Sequence, residues 1–289
     1  MPAPGKNVIS VDVEDYFHVE AFADIIDRAQ WDNYAPRVED NTRRMLDLLD
    51  SCGVKGTFFV LGWVAERNPA LVREIVARGH EPACHSYWHR LIFKLDPQEF
   101  REDTLRAKTV IEQAAGVPVH GYRAPSFSIT ARSWWALDIL AECGFTFDSS
   151  IFPIHHDIYG MPDAPRAPFS VETPSGRITE FPMTTFRLFG SQNLPVGGGG
   201  YLRMLPLWYT RMGFQRVRTE NRPMIVYVHP WEIDPLQPRL TGSWKSRLRH
   251  YTNLNQMAGR LRSLLQLGSF TSFQDSALTP LVDPVKFPR

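Results

Sequence analysis

The sequence predicts an α/β fold with parallel strands, and three observations carry that prediction. Strand-like and helix-like stretches alternate from residue 7 to about 150. Successive helical stretches close at glycines: Gly53, Gly79, Gly116 and Gly144. Where strands end, a polar residue follows, first Asp12, then His85, Arg123 and Asp148. Parallel sheets and barrels gather ligands at that carboxyl face, so these four residues converge on one mouth.

The elements follow in order. The apolar run Val8-Ile9-Ser10-Val11 opens the chain as a strand and delivers the acidic cluster Asp12-Val13-Glu14-Asp15. Residues 41–49 set Met45, Leu46, Leu48 and Leu49 among charges, as a half-buried helix does. Residues 56–62 read as a buried strand bounded by glycines. Asn68-Pro69 reads as an N-cap with proline at the first helical position, and the next short strand, near 81–84, delivers His85. Asp96-Pro97 opens a long amphipathic helix through Ala115, and the strand at 117–122 leads to Arg123-Ala124-Pro125. A helix over 133–143, apolar through Trp134, Ala136, Leu137 and Leu140, precedes Phe145-Thr146-Phe147 and then Asp148-Ser149-Ser150.

Residues 153–182 are proline-rich and read as loops with a hairpin near 172–181. The run Gly197-Gly198-Gly199-Gly200-Tyr201 is either a flexible connector or a turn lining the site. It is not a phosphate loop, because no lysine with serine or threonine follows. Residues 224–228 form a strand ending in His229, and a basic helical tail spans 244–265.

Composition narrows the function. The 289 residues, 43% hydrophobic, bury a sizeable core and fit one large domain with an extension, divided here as 7–235 and 236–289. Lys and Arg total 32 against 31 for Asp and Glu, which argues against a nucleic-acid partner. Cys52, Cys84 and Cys143 are odd in number and widely spaced, so a reducing compartment is expected rather than a disulfide framework. Residues 1–6 carry no apolar signal region, and nothing approaches the roughly 20 apolar residues of a membrane span. A cytoplasmic protein is the expectation.

The most informative segment is Cys84-His85-Ser86-Tyr87-Trp88-His89, with two imidazoles four residues apart. If helical, that spacing puts both rings on one face, able to grip one ion. Two histidines and a carboxylate from the 12–15 cluster leave a coordination position open, as a catalytic site requires. Ser86 stands where a thermolysin-like protease needs glutamate, so that chemistry is set aside. Each residue also has a plainer role: Arg123 as an ion-pair partner, His229 as a strand-end histidine, Asp148-Ser149-Ser150 as a capping turn, and the tryptophans as core.

Taken together, residues 8–15, HSYWH, Arg123-Ala124-Pro125, Asp148-Ser149-Ser150 and Tyr227-Val228-His229 resemble, in order, the five motifs of the polysaccharide deacetylase, or NodB-homology, family, also called carbohydrate esterase family four. The resemblance covers roughly residues 7–232. The spellings SVDVEDYFHVEAF, GYRAPSFSI, FDSSIFP, GGGGY and WKSRLRHYTN further resemble the subfamily found at exosortase and PEP-CTERM exopolysaccharide loci, which carries its own C-terminal extension.

The resemblance implies a distorted barrel of about seven β/α units that removes N-acetyl groups from the amino sugars of a glycan with a divalent ion, Zn²⁺ first. On this chain Asp12 becomes the general base, His229 the general acid, and Arg123 the residue that orients Asp12. His85 and His89 become metal ligands with Glu14 or Asp15, since Val13 follows Asp12 where an aspartate is commoner. Asp148 holds His229 or lines the pocket. Tyr87 contributes a backbone N–H to the oxyanion, and Pro125, Tyr201 and Trp231 complete the substrate contacts. The alternatives are an allantoinase-like cyclic-amide hydrolase and a non-catalytic glycan-binding module. The chemistry suits the residue types, because amide hydrolysis needs an activated water, a base for its proton, and an acid for a poor amine leaving group.

Overall fold

The computed structural model describes residues 6–156 and 159–286; the amino-terminal residues 1–5 read above lie outside the described residues. Five parallel strands follow one another in space as in sequence: β1 (Asn7–Val13), β2 (Thr57–Val60), β3 (Glu81–Cys84), β4 (Gly121–Tyr122) and β5 (Phe147–Asp148). The hairpin of β6 (Phe169–Thr173) and β7 (Gly176–Glu180) joins β5 through β7. After a small ribbon of β8 (Thr185–Phe186) and β9 (Leu194–Pro195), β10 (Ile225–Val228) returns to lie parallel beside β1.

The arc from β7 back to β10 closes through irregular backbone. Thr184 Oγ1 accepts from Ile225 N at 2.6 Å, and the Gly197 carbonyl accepts from Tyr227 N at 2.8 Å. The distorted barrel is therefore completed by side-chain and loop hydrogen bonds. The two-residue period of β1 sorts its side chains between two layers. Val8 packs inside with Phe59, Ala83 and Ile225, while Ile9, Val11 and Val13 join the larger cluster beneath the helices. Ser10 and Asp12 continue the inner face toward the mouth, both buried.

The outer layer is α1 (Val38–Ser51), α2 (Gly62–Arg67), α3 (Pro69–Ala77), α4 (Pro97–Ala115) and α5 (Ala136–Glu142). The expected helix start at Asp96 holds: Glu99 N donates to Asp96 Oδ1 at 2.9 Å and Asp96 N to Glu99 Oε2 at 3.0 Å. Asn68 is the N-cap position of α3 with Pro69 first in the helix, as expected, although its side-chain amide donates back to the Val64 carbonyl at the end of α2 rather than capping α3. Elsewhere local signals mislead. The single helix expected over 133–143 is a 3₁₀ turn at 131–133 followed by α5. α2 has no signal strong enough to predict it; Gly62 lets it pack against Tyr87 and Ala107.

The glycine run belongs to neither expected class. Gly198 at φ 115° forms an isolated parallel bridge with Tyr227 and opens α6 (Gly199–Met204), which leads to α7 (Leu207–Thr219). The basic tail is two helices, α8 (Trp244–Tyr251) and α9 (Leu254–Leu265), broken at Asn253, which adopts φ 56°. The chain then rejoins the sheet: β11 (Phe270–Thr271) pairs with the start of β1, and β12 (Val285–Lys286) with β6. No helix among the described residues is long and apolar enough to cross a membrane.

At Gly198 an added Cβ meets the carbonyl oxygen of Tyr227 as well as an unfavourable positive φ. Gly198→Ala should therefore lower unfolding free energy by about 2 kcal/mol or more in urea titration. A change within ±0.5 kcal/mol would remove the closing role given to this segment.

Candidate active site

The site grows from the end of β1. Asp12 is buried, and its Oδ1 accepts from Arg123 Nη1 at 2.7 Å. The same nitrogen donates to Ser10 Oγ at 2.7 Å, Nε donates to the Ser149 carbonyl at 3.0 Å, and Nη2 to Ser149 Oγ at 2.9 Å. Phe59 lies beneath the guanidinium at 4.1 Å. Arg123 is wholly buried, so these bonds replace its hydration and fix the plane in which it presents a hydrogen bond to Asp12. Oδ2 of Asp12 faces His229, with Nε2 3.9 Å away.

Glu14, His85 and His89 bring their ligating atoms within 4.8 Å of one another, all buried. The histidine segment is not helical. Ser86 and His89 take positive φ, 60° and 50°, and His89 N donates to Ser86 Oγ at 3.1 Å, so a tight turn brings the rings to 5.2 Å between centroids. His85 Nδ1 meets the Arg123 carbonyl at 2.8 Å, the bond of a protonated Nδ1 that leaves Nε2 as a lone-pair donor.

The donors fit a metal ion. His89 Nε2 approaches Glu14 Oε2 to 2.7 Å without hydrogen-bond geometry, and Oε2 is a buried acceptor with no partner among the described residues. A lone carboxylate oxygen and two imidazoles aimed at common space are what an ion satisfies, and three protein ligands leave room for a further one. The electrostatics agree. Burial alone would raise the Glu14 carboxyl, but the neighbouring imidazoles of His89, His229 and His85 outweigh it and hold Glu14 well below the usual range. Burial pushes His85 down to about 4, so it stays neutral at physiological pH.

Asp15, the other carboxylate considered, is engaged elsewhere. Its oxygens accept from the backbone N–H groups of Tyr16 (2.9 Å), Arg37 (2.7 Å) and Val38 (2.9 Å), which starts α1 three residues before the sequence suggests. It is a helix-anchoring residue, and Glu14 supplies the cluster's carboxylate.

His229 follows β10, next to β1, and its ring lies 3.6 Å from Glu14 Oε1. Its partner is Glu232, which sequence reasoning missed. Glu232 Oε2 accepts from His229 N at 2.9 Å and lies 3.2 Å from Nδ1, while Oε1 accepts from Arg203 Nε at 2.6 Å. An acid three residues after a histidine and proline, in H-P-W-E, was the available signal. Burial opposes an imidazolium here; the hydrogen bond and charge of Glu232, with Glu14 and Asp12 beyond it, overcome burial and raise His229 to about 9.

Asp148 does not hold His229. Its oxygens accept from Ser150 Oγ (2.6 Å) and Ser150 N (3.2 Å), and it forms a buried pair with Glu180, whose carboxyl burial drives well above its usual range. Tyr87 N donates to Asp103 Oδ2 at 2.8 Å and its hydroxyl to Glu66 at 2.7 Å, so neither reaches the site. Pro125 and Tyr201 do not line the cavity, whereas Trp231 does, stacks on His229 and donates from Nε1 to Glu14 Oε1 at 3.2 Å.

The cavity over these groups measures about 130 Å³ and is also walled by Tyr227, from the fifth motif, and by Tyr159 and Phe127, which the motifs do not indicate. Larger grooves of about 370 and 360 Å³ lie at the amino ends of the strands. The one ligand cluster found among the described residues is not in them, so chemistry rather than volume locates the site.

Two outcomes follow. In metal titrations by calorimetry, Glu14→Ala should abolish tight binding; Asp15→Ala should bind normally while losing about 1–2 kcal/mol of stability. Tight binding by Glu14→Ala would overturn the ligand set. In the metal-free protein, His229 should titrate near pH 9 by NMR, above the ordinary 6.5. Its folded value is raised, so its stabilising contribution is complete below pH 6.5 and disappears as pH rises through about 9. Glu232→Gln should move the titration down; an unchanged value would remove Glu232 as its cause.

Comparison with known proteins agrees with this geometry. Residues 30–147 match the family model described as polysaccharide deacetylase, and residues 149–278 the domain of unknown function DUF3473. A chitooligosaccharide deacetylase of Bradyrhizobium sp. (strain ANU 289) is 36% identical over 102 residues, 35% of this chain and 43% of that protein. The chain thus spans less than half the length of that curated relative. The fold is shared with a protein named as a polysaccharide deacetylase from Mycobacterium smegmatis (TM-score 0.59, 22% identity, 91% of this chain and 86% of that one). A family 4 carbohydrate esterase from Streptomyces lividans also shares it (TM-score 0.51, 16% identity, 96% and 99%). With the motif residues gathered at one barrel mouth, residues 30–147 form a polysaccharide deacetylase (NodB-homology) domain, followed by a segment that matches DUF3473.

Proposed function

We propose that this protein is a metal-dependent hydrolase that removes N-acetyl groups from the amino sugars of a polysaccharide or its precursor, in exopolysaccharide production. One observation carries the reading. Asp12 and His229 face one another at 3.9 Å beside the Glu14, His85 and His89 cluster, each held from behind by its own buried partner. The chitooligosaccharide deacetylase named above supports an acetamido sugar as substrate.

Glu14, His85 and His89 are the residues that would hold the ion, with Zn²⁺ the first choice for two imidazoles and a carboxylate. When bound, such an ion supplies Lewis acidity and brings the pKa of a water toward about 7. The protein's own groups do the proton work. Arg123 occupies Asp12 Oδ1, so Oδ2 is the oxygen free to take the proton as water attacks the acetyl carbon. His229, cationic at neutral pH, gives its proton to the sugar nitrogen as the C–N bond breaks. The products are acetate and a free amine, and the proton on Asp12 returns to His229 or solvent. Trp231 closes the site against water on the His229 side.

Three unpaired cysteines support a cytoplasmic location, where the substrate would be a lipid- or nucleotide-linked precursor. The test is acetate release from N-acetylglucosamine oligomers by Zn²⁺-loaded protein. Asp12→Asn should lose 10²-fold or more in kcat, roughly the contribution of one general base, with metal content intact. Folded, metal-loaded protein that releases no acetate from any acetylated amino-sugar oligomer would sink the proposal.

A further inference from the structure

Residues 235–274 contain no aspartate or glutamate but six cations, of which Arg239, Lys245, Arg247 and Arg249 fall on α8 or just before it. In a chain of net charge +1 this is a strong local asymmetry. The same helix turns an apolar strip to solvent. Its buried residue is His250, which stacks on Trp231 at 4.2 Å and 17°. At about 100° per residue, the side opposite His250 carries Trp244 and Leu248, one turn apart, with Lys245 and Arg249 along one edge and Arg247 along the other. Trp244 is 71% exposed and Leu248 53%. The helix is held firmly in that orientation, because Arg203 Nη1 donates to the carbonyls of His250 and Thr252, both at 3.0 Å.

The strip continues onto neighbouring segments. An added Cβ at Gly242 would come within 3.2 Å of the Phe22 ring and 3.7 Å of Ile25 Cδ1, so the chain entering α8 lies against Ile25, itself 48% exposed. Leu236, 81% exposed, adjoins Gln237, whose Oε1 meets His250 Nε2 at 2.7 Å. Four large apolar side chains thus border one short helix, and together they exceed the scattered exposure normal for a surface. The catalytic mouth is next to them. The 3₁₀ turn Glu20–Phe22 sets Glu20 in the cavity wall and Phe22 5.1 Å from the His250 ring, and Trp231 beneath His250 is another wall. The patch is part of the rim.

Charge indicates what covers it. Among the described residues, none of the four cations forms an ion pair with an acid; Arg239 lies over the Tyr251 ring at 4.2 Å and Lys245 Nζ is 5.9 Å from the Trp244 ring. Of the acids nearby, Glu20 is engaged by Lys94 at 3.7 Å and Asp234 is buried against Arg37. That leaves Asp24 and Asp27 against four cations. A second copy of the chain would bring the same positive face to the contact and be repelled.

We propose that this face docks on an anionic phospholipid surface. An indole and aliphatic side chains enter the boundary between headgroups and acyl chains, while the flanking lysine and arginines meet lipid phosphates. The proposal does not depend on the deacetylase reading; joined to it, it favours the lipid-linked precursor over the nucleotide-linked one.

The test is co-sedimentation of the full chain with vesicles of phosphatidylcholine alone and of phosphatidylcholine with phosphatidylglycerol in equal parts. No substrate is present, so the result is independent of acetate release. The mixed vesicles should be bound roughly tenfold or more tightly, and the difference should shrink as salt is raised toward about 1 M. Trp244→Ala should weaken binding to the mixed vesicles severalfold while leaving its salt dependence, and Lys245→Glu combined with Arg249→Glu should abolish the preference for anionic lipid. Phe189→Ala, at an exposed residue between β8 and β9, and Arg73→Glu, a charge reversal on α3, should bind as the parent protein does. Melting by circular dichroism identifies any variant that loses binding by unfolding. The parent protein carries the decisive measurement. Equal binding of the two vesicle types by it, or equal losses in Trp244→Ala and Phe189→Ala, would overturn the proposal. Vesicle binding by a protein that releases no acetate would keep the docking face and remove the deacetylase reading, and acetate release without vesicle binding would do the reverse.

Discussion

The buried pair of Arg123 and Asp12 is the constraint on which the rest of the site depends. A guanidinium placed wholly inside a barrel is tolerable only when nearly every donor is used, and here Ser10, Asp12, Ser149 and the Ser149 carbonyl use them. Those partners come from β1 and from the segment after β5, so one side chain ties opposite parts of the arc together. The Arg123 carbonyl also fixes the tautomer of His85. A single residue thus orients the proposed base and one proposed metal ligand.

A second buried charge network does the same for the other half. Arg203, from the helix opened by the glycine run, holds Glu232 and grips the carbonyls of His250 and Thr252. Glu232 then holds His229. The tail reaches the site by a second route, since His250 stacks on Trp231 and Trp231 on His229. Residues 244–252 are therefore part of the frame that sets the proposed acid, although none of them touches the ion cluster. Both networks are costly to break, because removing one partner strands another charge away from water.

Much of the fold and half of the site were legible in the chain. Alternating strand and helix signals, with glycine stops and the Asp96 cap, located β1 to β5 and α3 to α5 to within a few residues, because those signals are local. Asp12, His85, His89, Arg123 and His229 were legible because each follows an apolar strand, and parallel strands deliver their ends to one face. The histidine segment is not helical: a turn with positive φ at Ser86 and His89 brings the two rings together. Glu232 was overlooked although its bond to His229 is local, whereas the roles of Tyr159, Ser10 and Ser149 depend on contacts between distant segments.

By itself the sequence determined the class of fold, the strand ends that carry the candidate site residues, and the family whose motifs those ends resemble. Strand period and capping chemistry are short-range, so they survive without a structure. Only the tertiary structure decided between Glu14 and Asp15, because both stand within reach of the same strand end and the choice turns on which carboxylate α1 claims for its first turn. It likewise decided that His229 answers to Glu232 rather than Asp148. Buried charges go where their partners are, and those partners lie up to 217 residues apart in the chain.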